Sequence, residues 1–128
     1  MTINQNQLKF TISNTLLQIG IPHNLSGFKY LSRAVDIAIS SPMATNTITK
    51  NIYSVIAMEF NSKTANIERA IRNAINKAWS QDKISFASQL FSIDDYPITH
   101  KPSNSEIITL LAERVPFLAT KYVTQGVC

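Results

Sequence analysis

A chain of 128 residues that is 45% hydrophobic and 16% charged has enough apolar material for one domain with a real core and is too short for two ordinary ones. Its net charge of +4 and pI near 9.4 suit a polyanionic partner without requiring one. No apolar run is long enough to span a bilayer, the opening residues have neither a basic start nor an apolar signal core, and the single cysteine, Cys128, excludes an internal disulfide; a cytoplasmic protein without membrane attachment is expected.

Glycine and proline are sparse and placed like punctuation, and the segments between them carry helical apolar spacing, so the expected class is all-α with six helices. The first runs roughly from Leu8 to Ile19, burying Phe10, Ile12, Leu16, Leu17 and Ile19, and stops at Gly20, a residue suited to a left-handed C-cap. After the irregular IPHNLSG, a second runs from about Phe28 to Ser40 with Tyr30, Leu31, Ala34, Val35, Ile37 and Ala38 inward, closed by Ser41-Pro42. Ile48, Ile52, Val55, Ile56 and Phe60 mark a third, which ends at Asn61-Ser62-Lys63. Asn61 tolerates the left-handed conformation of a tight corner, and Ser62 or Thr64 can accept a hydrogen bond from the amides that open the next helix.

The fourth helix, about 64–79, carries the most informative pattern. Ile67, Ala70, Ile71, Ala74, Ile75, Ala78 and Trp79 repeat at the spacing of a buried helical stripe. Asn66, Arg69, Asn73 and Lys77 run along the opposite side, with Glu68, Arg72 and Asn76 beside them. A short fifth helix, about Ile84 to Phe91, follows Asp82; the stretch FSIDDYPITHKP, broken by Pro97 and Pro102, reads as a loop. Ser103 and Glu106 then have the spacing of a capping box ahead of a sixth helix. Pro116 is expected to end or kink it, leaving residues 116–128 as a tail.

Two helices joined by three or four residues form a helix-turn-helix, and a polar, cationic second helix is what reads base edges and phosphates in a major groove. Arginines on an exposed helix face are more often simply solvated, so Arg69 and Arg72 gain meaning only from this combination. Lys50, near the start of the third helix, and Lys63, in the turn, lie where such proteins commonly meet phosphate, although solubility accounts for them equally well. Catalysis has little to stand on. His23 and His100 sit in separate loops without metal-ligand spacing, Asp94-Asp95 reads as a turn, and no Gly-rich phosphate loop or nucleophile motif occurs. No enzyme and no cofactor are expected.

The runs LLQIGIPHNLSGFKYL, FNSKTANIERAIRNAINKAWS and KPSNSEIITLLAERV, in this order and spacing, resemble the C-terminal DNA-binding effector domain of the sporulation master response regulator of endospore-forming bacteria. The likeness spans Ile12 to Val115. It implies a six-helix domain whose fourth helix enters the major groove of double-stranded DNA and reads a short box containing a G and a C, often as tandem copies bound head to tail. The positions matching the family's base-reading residues are Glu68 and Arg69, with Arg72 at a phosphate-contacting one. The chemistry agrees, since arginine can donate two hydrogen bonds to guanine O6 and N7 and a carboxylate can accept from cytosine N4.

This chain has Asn66 and Asn73 where the family pattern typically has Arg and His. Asn66 is assigned to base reading, with an amide suited to adenine, and Asn73, Lys77, Lys63 and Lys50 join Arg72 as phosphate contacts. The resemblance further implies contact with the sigma subunit of RNA polymerase through the counterpart of Ser80 to Phe91, and a stand-alone effector not switched by phosphorylation in cis, since 128 residues leave no room for a receiver. A second reading, favoured by the neutral Asn66 and Asn73, is a protein-interaction module that antagonises the full-length regulator or binds the sigma subunit.

Overall fold

The computed structural model describes residues 4–81 and 101–124, with side chains as far as 120. Its regular structure is helical throughout: α1 (Gln5–Gln18), α2 (Ser26–Ser40), a 3-10 segment (Pro42–Thr47), a π-helical turn (Thr49–Tyr53), α3 (Ser54–Glu59), α4 (Thr64–Gln81) and α5 (Asn104–Thr124). The expected all-α class is the observed one. The helix expected at 84–91, most of the loop after it, and Cys128 lie outside the described residues.

α1 begins three residues earlier than its apolar pattern suggests because Asn4 caps it. The Asn4 side chain accepts from the Gln7 amide at 2.8 Å while the Gln7 side chain accepts from the Asn4 amide at 3.4 Å. At the other end Gly20 adopts φ 92°, and the amides of Gly20 and Ile21 donate to Leu17 and Leu16 at 3.0 Å each, a Schellman closure that drives Ile21 into the core.

The buried face of α1 corrects the expectation. Phe10 and Leu17 are 65% and 51% exposed, and Thr11 and Thr15 point inward instead. Their hydroxyls donate to the carbonyls one turn back, Thr11 to Gln7 at 2.8 Å and Thr15 to Thr11 at 2.7 Å, so neither brings an unsatisfied polar group into the core.

α2 is the central helix, packed against α1, α4 and α5 through Leu31, Ala34, Val35 and Ala38. Its first turn crosses α4 so closely that a Cβ on Gly27 would lie 2.2 Å from the Ala70 carbonyl oxygen and 2.7 Å from the Ala74 Cβ. Small residues on both sides permit the crossing.

The third helix is not one regular cylinder. Thr49–Tyr53 is a π-helical turn, with the Ser54 amide bonded to Thr49, and it runs directly into α3. The wider turn changes the phase of the stripe: Ile48, Ile52, Tyr53, Ile56 and Ala57 are buried, while Val55 and Phe60, both expected inside, are 38% and 37% exposed. Phe60 packs its ring edge to Tyr30 of α2, with centroids 5.2 Å apart.

α5 opens on the expected capping box, with Ser103 Oγ accepting from the Glu106 amide and Glu106 Oε1 accepting from the Ser103 amide, both at 3.1 Å. Pro116 does not end it. The helix continues to Thr124, and Val115 and Ala119, on either side of the proline, are buried in the core, so tertiary packing outweighs the lost backbone bond. None of the described helices is long and apolar enough to cross a membrane.

Candidate nucleic-acid interface

α3 and α4 meet through a second Schellman closure. Asn61 sits in the left-handed region at φ 51°, the Asn61 amide donates to Met58 at 3.4 Å and the Ser62 amide to Ala57 at 2.8 Å. The corner is therefore locked by backbone geometry. The Ser62 hydroxyl, expected to cap α4, instead accepts from Asn66 Nδ2 at 3.4 Å, and the Asn66 and Ile67 amides are taken by the Lys63 carbonyl at 2.9 and 3.1 Å.

The angle of this corner is braced from α2. Arg33 donates to both oxygens of Glu59, at 2.8 and 2.7 Å, and to Asp36 at 2.9 Å. The paired guanidinium holds the Glu59 carboxyl below its ordinary range. Lys29 lies over the Phe60 ring at 5.0 Å beside this brace. Sequence reading missed the Arg33–Glu59 pair, which spans elements 26 residues apart with no local pattern to announce it.

α4 buries Ile67, Ile71, Ala74, Ile75 and Ala78, with Ala70 and Trp79 half-buried at the margins of the stripe. At about 3.6 residues per turn, Arg69 points directly away from that stripe. Arg72 falls along one edge of the exposed face, with Asn76 on the same side but nearer the centre, and Asn66, Asn73 and Lys77 fall on the other side. Asn66, Arg69, Arg72, Asn73 and Lys77 are all exposed. Arg69 makes no hydrogen bond or ion pair among the described residues.

Glu68 lies farther round, half-exposed on the flank next to Arg72, and its Oε1 pairs with Arg72 Nη1 at 2.9 Å. Lys63 is exposed at the entry to α4. Lys50 is exposed on the π-helical turn, apart from α4, but next in sequence to Thr49, which lines a cleft at the α4 flank.

That cleft, of about 490 Å³, lies between the π-helical turn, α4 and the start of α5, and is lined among others by Tyr53, Glu68, Arg72, Lys101 and Asn104. Burial pushes the Tyr53 phenol up, against the pull of its hydrogen bond with Asn104. Asn104 Nδ2 also donates to the Glu68 backbone carbonyl at 3.1 Å, and the Lys101 ammonium donates to Asn76 Oδ1. These ties fasten the opening of α5 to the flank of α4. Only the KPSNSE run hinted at them, through the family likeness.

A braced corner, a short first helix and a long second helix that turns a polar, cationic face to solvent define the helix-turn-helix class of nucleic-acid-binding domains. Within that class the assignment is specific: the family described as Sporulation initiation factor Spo0A C terminal matches residues 12–115, and the chain belongs to this family of helical DNA-binding effector domains. The family is one of transcription factors acting in sporulation and not of enzymes.

Proposed function

We propose that the chain is a sequence-specific transcriptional regulator that places α4 in the major groove of double-stranded DNA. The observation that carries this reading is Arg69, which lies at the centre of the exposed face of α4, without a hydrogen bond or ion pair among the described residues, and with a polar or cationic edge on either side. A helix lying in a groove presents its centre to the base edges and its two edges to the two phosphate walls. Arg69 then donates to guanine O6 and N7. Arg72 faces one wall; Asn73 and Lys77 face the other, and Lys63 and Lys50 reach phosphate from the turn and from the π-helical turn.

Glu68 and Asn66, although off the centre of the face, lie in the first turns of α4, the end that enters a groove deepest, and take the neighbouring bases. One Glu68 oxygen holds Arg72, and the other remains an acceptor for cytosine N4. Asn66, released from Ser62, offers its amide to adenine N6 and N7. Tandem occupancy of adjacent boxes and contact with the polymerase sigma subunit extend the same reading from the family likeness.

The test is a binding isotherm, at fixed near-physiological salt, for a duplex carrying the G- and C-containing box and for one with those pairs swapped. A preference of about 1–3 kcal/mol per position is expected. Equal, weak binding to both would reject specific readout and favour the protein-interaction reading, for which co-purification with a full-length regulator in the absence of DNA is the direct assay.

A further inference from the structure

We propose that Lys101, 25 residues beyond Asn76 and outside the helix-turn-helix, is a DNA-phosphate contact that completes one edge of α4. The inference rests on the DNA-binding reading above and adds a residue to it. The Lys101 ammonium is held by Asn76 Oδ1, and an ammonium has three N–H donors, so among the described residues two stay available for an incoming anion. Asn76 lies one turn after Arg72 on the same side of the exposed face, so the two cations follow one another about 6 Å apart along the helix axis. α4 itself supplies no cation on this side after Arg72, since Asn76 and Trp79 follow. Lys101 fills the place that a basic residue of the helix would otherwise take.

How Lys101 is held also matters. Arg33, the brace of the corner, is bound by two carboxylates, Glu59 and Asp36, which cancel its charge. Lys101 is held by a neutral amide, which fixes its position and leaves its charge for another partner. Among the described residues that line the cleft, the carboxylate, Glu68, is already paired with Arg72. The backbone beneath Lys101 is firmly placed: Pro102 is buried, Ser103 and Glu106 cap α5 reciprocally, and Asn104 bonds to the Glu68 carbonyl. A cation positioned before DNA arrives loses little side-chain freedom on contact.

Each phosphate neutralised steepens the dependence of log Kobs on log salt by about 0.9. The experiment measures binding of the box duplex from 50 to 200 mM salt for the native chain, Lys101→Gln and Lys101→Arg, with thermal melts of all three. Lys101→Gln should flatten the slope by about 0.9, so that its affinity falls about 3- to 4-fold less than that of the native chain over this range, with box preference unchanged. Lys101→Arg should keep the native slope. A native slope in Lys101→Gln would overturn the assignment of Lys101 while leaving the DNA-binding reading intact; failure of the native chain to bind DNA would overturn both. Amine-reactive footprinting of the native chain gives a readout independent of variant folding: protection of Lys101 by the duplex is expected, and equal labelling with and without DNA would refute the contact.

Discussion

Arg69 and Arg72 are one turn apart on one helix, yet their different environments support the different roles proposed for them. Among the described residues Arg69 has no partner at the centre of the exposed face, whereas Arg72 is tethered to Glu68 at its edge. We expect Arg69→Ala to lose about 1–3 kcal/mol of discrimination at a single G·C pair, and Arg72→Ala to weaken binding to all sequences and reduce the salt slope by about 1. Competition isotherms with specific and random duplexes separate the two, and equal losses on both duplexes for both variants would contradict the assignment. Gly27 is a residue of another kind, needed for the space it leaves empty. Because a Cβ there would collide with the Ala70 carbonyl, which cannot move without displacing α4, Gly27→Ala should destabilise the fold by about 1–3 kcal/mol, seen as a lower Tm.

At the scale of the element, the corner between α3 and α4 depends on a left-handed residue and two backbone bonds. Asn is among the few non-glycine side chains at ease with φ 51°; a β-branched one is not. Asn61→Val should therefore cost about 1–2 kcal/mol in denaturant titration, while Asn61→Gly should leave stability nearly unchanged. If Val were tolerated as well as Gly, the left-handed turn would not be what holds the corner. Local signals of this type were legible in the sequence: Gly20, Asn61 and the Ser103–Glu106 box each act through their own few neighbours, and each does what its residue type predicts. The stripe of α4 was legible for a related reason, since an amphipathic helix writes its two faces into the spacing. The same rule misled at α1, where hydrophobicity favoured Phe10 and Leu17 over the threonines that actually face the core, and at the third helix, where the π-helical turn changed the phase.

Across the whole molecule, the Arg33–Glu59 pair ties the central helix to the end of α3 and so sets how the helix-turn-helix is presented. Glu59 has a lowered pKa in the folded protein, so its contribution is fully present above the ordinary carboxylate value of 4.5 and is lost as pH falls through the lowered folded value. Both side chains are more than a third exposed, which limits the effect to on the order of 0.5 kcal/mol. Glu59→Gln should flatten the acid limb of a stability-against-pH curve by about that amount while leaving the curve's shape near pH 7 unaltered; an unchanged acid limb would mean that the pair does not persist in solution.

The sequence by itself determined the helical class, the α4 faces and the Gly20, Asn61 and Ser103–Glu106 caps, because each of these is encoded over one or two helical turns; the proposed base-reading side chains came from the family likeness. Only the tertiary structure decided that threonines belong in the α1 interface, that α5 runs through Pro116, that Arg33 braces the corner and that Lys101 stands on the edge of α4. Those outcomes depend on which distant surfaces meet. A proline's local cost can be outweighed by burial on both sides of it, and a cation 25 residues from its partner has no periodicity to reveal the pairing until packing brings the two together.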